Sequence, residues 1–241
     1  MLICCSEITL IRVNLKMSKN KNTLSLVLAA LTIAPTAFAS NTNHPLDPLS
    51  MQSTISLNFN GDAKGEGKLR LTDNLQVRGH LTDEGNYTVG GGLVYRLSEN
   101  DYWGSGLIRT GISAGIERSD FESIGTRTSL DGSFVVSEYL NRERKILISG
   151  SIGGRYLETD YFNVVDTRIQ FLGVGSAFYT MDGFYFGSEL EAIVDSETQI
   201  VATPKIGFSS GNTAFDVGYQ VNIKDTSNSD AELTLSATWV F

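Results

Sequence analysis

The 241-residue sequence predicts an all-β protein: a closed antiparallel up-and-down transmembrane β-barrel of about twelve strands, with ten as the alternative. Three observations predict this fold. Apolar and polar side chains alternate with a period of two from about residue 51 onwards, as in strands with one apolar face. No stretch after residue 40 reaches 18 apolar residues, so no membrane-spanning helix is expected. Proline is rare in the candidate strands, as a fully hydrogen-bonded sheet requires.

The last candidate strand alternates most regularly. One face is apolar and the other polar, with Val240 as the exception. The apolar face comprises Ala231, Leu233, Leu235, Ala237, Trp239 and Phe241. A terminal aromatic residue on such a strand resembles the assembly signal of bacterial outer-membrane β-barrels. The resemblance is to the small porin-like and OmpA-like barrels of Gram-negative bacteria. It covers residues 51–241 and implies that Phe241 engages the outer-membrane assembly machinery.

Earlier segments alternate in the same way and are separated by Gly, Asn, Asp and Ser. At about ten membrane residues each, twelve strands use about 120 residues and leave enough chain for the connections. Two segments, 127–140 and 166–180, alternate poorly and are predicted to contain bulges. Pro204 falls inside a candidate strand, where it either argues against that strand or marks a bulge. The other segments are 55–59, 68–71, 75–81, 88–97, 108–117, 146–156, 184–194, 200–208 and 215–223.

The N-terminal region predicts export. Met17 is followed by two lysines, a short apolar run from Leu24 to Ile33, and Ala37-Phe38-Ala39 as a cleavage site. Residues 17–39 are therefore expected to be a signal peptide, and residues 1–16 a mis-annotated upstream extension or an unusually long charged region. Residues 40–50 are predicted to form a periplasmic tail, and 51–241 the barrel.

The composition after residue 39 agrees with export. Both cysteines, Cys4 and Cys5, precede the predicted cleavage site, which excludes a disulfide framework from the mature chain. The expected mature chain has 15 basic and 26 acidic residues, a net charge of about −11. Nucleic-acid binding is therefore not expected, because it relies on basic surface.

Alternation alone does not distinguish a barrel from a soluble β-sandwich, which buries its apolar faces. Connections predicted near 99–101, 141–143, 181–183 and 209–211 are tight, whereas those at 118–125, 158–166 and 225–230 are longer, which favours an outer-membrane barrel. Large aromatic residues also collect near the tight connections, where they would form a girdle at the headgroup level of one leaflet. The predicted girdle comprises Tyr95, Trp103, Tyr179, Phe184, Phe208, Phe215, Trp239 and Phe241.

If the apolar face meets lipid, the polar face lines the lumen. The predicted lining residues are Lys68, Arg70, Arg78, His80, Arg96, Arg109, Glu117, Arg155, Glu189, Glu191, Lys205 and Asp216. These charges favour either a narrow polar conduit or an interior closed by ion pairs. Barrels of ten or twelve strands lie between the filled and the open sizes, so both alternatives stand.

Other functions find less support. Acidic residues in the predicted external loops match no calcium-binding motif, and we predict no metal and no cofactor. Only His44 and His80 follow the signal peptide, and no local motif completes a catalytic site around His80. The Gly90-Gly91-Gly92 run lacks the lysine and helix of a phosphate loop.

The sequence thus predicts a non-enzymatic passive channel for small polar solutes, with a closed structural or adhesive barrel as the alternative and a lipid-modifying enzyme as a third hypothesis. The expected contacts are outer-membrane lipid and lipopolysaccharide.

Overall fold

The computed structural model describes residues 44, 46–60, 62–83, 87–102, 106–121, 125–140, 143, 145–161, 164–196, 198–224 and 232–240. These residues form a closed barrel of twelve antiparallel strands, which confirms the larger of the two predicted strand numbers. Each strand pairs with its neighbours along the chain, and β1 pairs with β12 to close the sheet. The strands are β1 (Thr54–Asn60), β2 (Asp62–Arg70), β3 (Leu75–Asp83), β4 (Tyr87–Tyr102), β5 (Gly106–Phe121), β6 (Gly125–Tyr139), β7 (Ile146–Tyr161), β8 (Val164–Met181), β9 (Phe184–Val194), β10 (Thr198–Ser210), β11 (Thr213–Lys224) and β12 (Glu232–Val240).

The strands in the middle of the chain are longer than a membrane requires. Strands β4 to β8 contain 15 to 18 residues each, against the roughly 9–11 that cross a bilayer. The predicted long loops at 118–125 and 158–166 are therefore wrong, since most of these residues extend the β5–β6 and β7–β8 hairpins. The predicted turn at 99–101 is also wrong, because β4 continues to Tyr102.

Two short turns mark one end of the barrel, called here the tight-turn end. Asp182 and Gly183 join β8 to β9 with φ angles of 51° and 86°, the left-handed backbone that two-residue hairpins use. Gly211, with φ of 55°, lies in the short connection from β10 to β11. Both turns lie where the sequence places them.

The bulges lie elsewhere than predicted. Strands β6 and β8 pair with their neighbours without a register shift, so their poor alternation does not reflect bulges. Register shifts occur instead between Arg96 and Ser98 in β4 and between Ile200 and Val201 in β10. Pro204 lies inside β10 opposite Ser188 of β9. It is absent from the pairs that β10 makes with β11, where its missing N–H is accommodated.

The apolar face of the sheet points outward. Phe184, Val217 and Leu235 are 55%, 43% and 45% exposed, and they belong to a larger set of exposed apolar side chains spread over the strands. A β-sandwich would bury these side chains, so that alternative is wrong. Among the described residues, no helix is long and apolar enough to cross a membrane.

Aromatic residues cluster on the outside of β8 to β12 at the tight-turn end. The ring centroids of Phe184 and Phe208 are 4.9 Å apart, and Phe208 pairs with Phe215 across the sheet. Tyr179 and Trp239 lie on the same outer face, whereas Tyr95 stands apart on β4. Trp103 and Phe241 of the predicted girdle lie outside the described residues.

Candidate functional site in the lumen

The lumen contains two adjoining cavities, and its middle is polar. The larger has a volume of about 470 Å³ and carries both signs of charge. The smaller, of about 220 Å³, lies nearer the tight-turn end and shares Val174 and Glu189 with the larger. Ionisable residues that line one or both cavities are Lys64, Lys68, Arg78, His80, Glu117, Arg127, Glu189, Glu191, Lys205 and Asp216.

Two side chains of β3 lie across the lumen wall and pair with acids on more distant strands. His80 Nε2 is 3.1 Å from Glu117 Oε2 on β5, and Arg78 Nη2 is 3.3 Å from Asp131 Oδ2 on β6. Both side chains pass over glycines of β4. A Cβ at Gly90 would overlap the His80 ring, and one at Gly92 would lie 3.0 Å from Arg78 Nε. The glycine run thus leaves room for these pairs to lie along the wall.

The opposite wall uses the same arrangement. Tyr185 of β9 lies over Gly207 of β10, and its hydroxyl donates a 3.0 Å hydrogen bond to Asp216 of β11. Lys205 Nζ on β10 is 2.6 Å from Glu189 Oε2 on β9. Charge-assisted contacts of this length hold the side chains along the wall and leave the middle of the lumen to solvent.

Hydroxyl groups line the wall of the smaller cavity. Ser113 and Ser133 hydrogen-bond at 2.7 Å, as do Ser149 and Ser176. All four serines line this cavity, which Leu46 and Pro48 close on the side of the tight-turn end. These two residues belong to the segment that precedes β1.

That segment spans residues 44–52, and its described residues, 44 and 46–52, pack inside the barrel at the tight-turn end. Leu49 and Met51 are 0% and 2% exposed and form an apolar cluster with Val94 and Val135 of the lumen wall. The sequence analysis predicts a periplasmic tail over residues 40–50 and begins the barrel at residue 51, and it places none of residues 44–52 inside the lumen. We call residues 44–52 the inner segment.

Polar contacts hold the inner segment to the strands around it. Asp47 Oδ2 lies 2.5 Å from Arg109 Nη1, and Arg109 Nε donates at 2.7 Å to Glu99. The His44 backbone N–H donates at 2.7 Å to the Tyr139 hydroxyl, and its ring stacks on Phe178 with centroids 5.5 Å apart. These contacts reach β5, β6 and β8 from one short segment.

The His44 ring is buried with one nitrogen unsatisfied. Leu46 N–H donates at 3.2 Å to Nδ1, so the neutral ring carries its proton on Nε2. Nε2 is buried and has no hydrogen-bond partner among the described residues. Burial lowers the pKa of His44 to about 4, because the charged ring would lose its hydration.

Four of the predicted lumen residues lie outside the two cavities. Arg70 is largely exposed and pairs with Asp73 in the β2–β3 connection. Arg96 pairs with Glu99 at 2.5 Å beside the same connection. Arg109 is buried against the inner segment. Arg155 lies on the inner face opposite Gln170, with a buried Nε that has no partner among the described residues. The other eight line one or both cavities.

The sequence analysis missed the large inward side chains of the tight-turn end, of which Tyr139, Phe178 and Tyr185 contact the inner segment. Tyr139, Leu147, Phe178 and Tyr185 point into the lumen although that face is otherwise polar. A signal was available, because Leu147 and Tyr185 each stand between two apolar neighbours and break the alternation at the tight-turn end. Asp131, which pairs with Arg78, lies in a segment whose alternation is poor.

Within the part of the chain that the structure describes, no cluster of three His, Cys, Asp or Glu side chains could hold a metal ion.

The barrel is similar to solved outer-membrane porins, and the chain has the fold of that class. The NanC porin has a TM-score of 0.53 and 8% sequence identity, over 78% of this chain and 98% of NanC. The KdgM porin in complex with disordered oligogalacturonate has a TM-score of 0.48 and 14% identity, over 79% and 99% of the two chains. The translocator domain of the autotransporter NalP from Neisseria meningitidis has a TM-score of 0.41 and 9% identity, over 78% and 87%.

At this identity, the likeness to NanC establishes the fold alone. No protein-family model and no curated protein sequence matches the chain.

Proposed function

We propose that this protein is an outer-membrane channel that passes small polar solutes without catalysis. The observation that carries the proposal is the polar lumen. Its two adjoining cavities are enclosed by a sheet whose outer surface is apolar. Such a cylinder is stable in lipid because the backbone groups of its strands pair with each other. Its interior offers hydrogen-bond partners and charges to a solute that has to shed water.

The two walls of the larger cavity differ in charge. Lys64 and Arg127 lie on the wall formed by β2 to β6, together with the His80–Glu117 pair. Glu189, Glu191 and Asp216 lie on the wall formed by β9 to β11, where Lys205 is the cation that lines the cavity. Opposed charges orient a polar solute across the lumen, and their near balance favours weak discrimination between anions and cations.

A closed structural or adhesive barrel is the second candidate, and the inner segment favours it. Residues 44–52 fill the lumen at the tight-turn end, where a permanently bound segment would block passage. The two candidates make opposite predictions for a variant that lacks this segment.

Planar-bilayer recording of the refolded protein tests the proposal. We expect stepwise ion conductance from the protein, and larger or longer openings from a variant lacking residues 44–52. Silence from both samples, each shown to be folded by a heat-dependent shift in gel mobility, would reject the channel and leave the structural barrel.

Catalysis is tested separately at His80. The His80 ring is within hydrogen-bond distance of Glu117. We propose that this pair has a structural role in the lumen wall. Hydrolysis assays on phospholipid and lipopolysaccharide should show no turnover, and a His80→Ala variant should not differ from the parent. Turnover that depends on His80 would establish an enzyme instead.

The proposed setting is the bacterial outer membrane, reached by export and cleavage after Ala39. The tight-turn end then faces the periplasm, as in barrels of this class. The outer aromatic cluster of β8 to β12 would lie at the headgroup level of the inner leaflet. N-terminal sequencing of the purified protein checks the cleavage, because any first residue other than Ser40 contradicts this site.

A further inference from the structure

We propose that the inner segment, residues 44–52, is a reversible gate that closes the lumen at the tight-turn end. This inference rests on the proposed channel function and concerns its regulation. In the docked state that the structure shows, the segment separates the cavities from the tight-turn end. Release of the segment joins the cavities to the solvent at that end.

The segment crosses the lumen instead of following one wall. His44 contacts Phe178 and Tyr185 on β8 and β9, at ring-centroid distances of 5.5 and 4.9 Å. At its other end, the backbone carbonyl of Gln52 accepts a 2.6 Å hydrogen bond from Gln76 on β3. Strands β3 and β9 lie six positions apart in a ring of twelve, on opposite sides. A chain that joins them obstructs passage.

The smaller cavity ends on this segment. Leu46 and Pro48 are part of its lining, together with wall residues such as Ser113 and Ser149. In the same segment, Leu49 is buried, and Asp47 forms a buried ion pair with Arg109. The described residues of the inner segment therefore form both the floor of the cavity and the closure of the barrel end.

A buried polar group without a partner lowers the stability of the docked inner segment. The His44 Nε2–H is buried without a hydrogen-bond partner among the described residues, which penalises the docked state. This cost opposes the apolar packing of the segment, in which Leu49 and Met51 join Val94 and Val135 and Leu46 packs against the cluster of Phe178, Tyr185 and Ala214.

The backbone is strained where the segment meets β1. Met51 has a φ angle of 50°, a left-handed conformation that a residue with a Cβ rarely adopts. Thr54 begins β1 three residues later, so the strain lies at the junction between the segment and the wall. Release of the segment would relieve this strain without breaking any strand pairing, as a hinge requires.

Thiol labelling in a bilayer tests the gate. The variant carries Cys4→Ser, Cys5→Ser and Leu49→Cys, so that residue 49 holds the one thiol. We expect a bulky charged maleimide to label residue 49 at least tenfold more slowly than residue 73 of a matched Asp73→Cys protein, whose side chain is exposed in the β2–β3 connection. Each label added at residue 49 should hold the segment out and raise the open fraction persistently. Labelling of Asp73→Cys should leave conductance unchanged.

Different failures lead to different conclusions. If residue 49 is not labelled while channels conduct, or if labelling leaves conductance unchanged, the segment is a fixed part of the wall and the gate is wrong. If a variant lacking residues 44–52 conducts no differently from the parent, the gate is again wrong, but the channel stands. If both proteins are folded and silent, the channel function itself fails, and the gate with it.

Discussion

The two halves of the lumen are built on different principles. Its middle is lined by ion pairs and serine hydroxyls and encloses about 470 and 220 Å³ of space. Its tight-turn end is lined by Leu107, Tyr139, Leu147 and Phe178 and is filled by the inner segment. One sheet therefore presents a solvated wall in one region and a small protein core in the other.

The difference shows what decides whether a barrel interior stays open. In the middle, Arg78 and His80 lie along the wall over glycines, so their length does not fill the lumen. At the tight-turn end, large side chains with apolar surface face inward and need a partner to bury them. Residues 44–52 provide that partner, which makes this end closed by default.

The largest expected effect tests the packing of side chains along the middle wall. A Cβ at Gly92 would clash with the backbone carbonyl of Ala114, and a wall carbonyl cannot rotate away. We expect Gly92→Val to lower the free energy of unfolding by about 3 kcal/mol. Gly67→Val is the matched control, because no atom lies within 4 Å of a Cβ there. Urea unfolding in detergent measures both, and equal losses would contradict the close packing of this wall.

The second effect tests the closed end. Asp47→Asn removes the charge that pairs with the buried Arg109, although Glu99 remains beside the guanidinium. We expect docking of the inner segment to weaken by about 2 kcal/mol, which corresponds to roughly a 30-fold rise in the released population.

Single-channel open fraction reports the change. Asp73→Asn, at the exposed pair with Arg70, is the control and should change it little. An unchanged open fraction in Asp47→Asn would show that the buried pair does not hold the segment.

Sequence reasoning succeeded where alternation was regular. The strand number, the outward apolar face and the turns at 182–183 and 211 follow from the period of two and from turn residues. It failed on connection length, because Asp120 and Glu158 look like loop residues yet lie in strands β5 and β7 that extend as paired hairpins. Strand pairing overrides the local polarity there, and hydropathy cannot reveal it.

The inner segment was beyond sequence reasoning for a different reason. The two-residue alternation that reveals the strands does not extend to His44, Asp47 and Leu49. Their partners lie 62 to 95 residues away in the chain and are, in the same order, Tyr139, Arg109 and Val135. Only the apolar residues that interrupt the polar face at the tight-turn end gave a local sign of an occupant. The same holds for the Arg78–Asp131 pair, since two strands separate its members in the sheet.

A third prediction concerns pH. Docked His44 stays neutral to a pKa of about 4, whereas the released ring has its ordinary pKa of 6.5. Between these values the released state binds a proton that the docked state does not. The contribution of neutral His44 to docking is therefore fully present above pH 6.5. It is lost progressively as the pH falls towards 4. We expect the open fraction to rise by up to about tenfold per pH unit within this window.

The neighbours of His44 define the control. Tyr185 packs edge-on against the ring, and the Tyr139 hydroxyl accepts from the His44 backbone N–H. Asp216 accepts from Tyr185, and Asp47 of the same segment pairs with Arg109 of β5. A His44→Phe variant keeps an aromatic ring beside Phe178 and removes the titration, so its open fraction should depend less on pH. The same slope in both proteins would assign the effect to the carboxylates.

The smallest effect concerns the charge of the middle wall. Lys205 pairs with Glu189 and is the cation that lines the cavity on the β9–β11 side. Lys205→Glu should raise the permeability ratio of cations to anions by roughly threefold and leave docking of the inner segment unchanged. Lys145→Glu, near the β6–β7 connection, is the control. Reversal potentials in a salt gradient measure the ratio, and an equal shift in both variants would contradict a selective role for this wall.

Single-channel recording of the parent protein beside a variant lacking residues 44–52 tests the central claim most directly. The account predicts brief, infrequent openings from the parent and sustained stepwise conductance from the variant, with the same ion preference in both. Indistinguishable traces would show that the inner segment does not close the lumen, and silence from both folded proteins would show that the polar lumen is not a conduit.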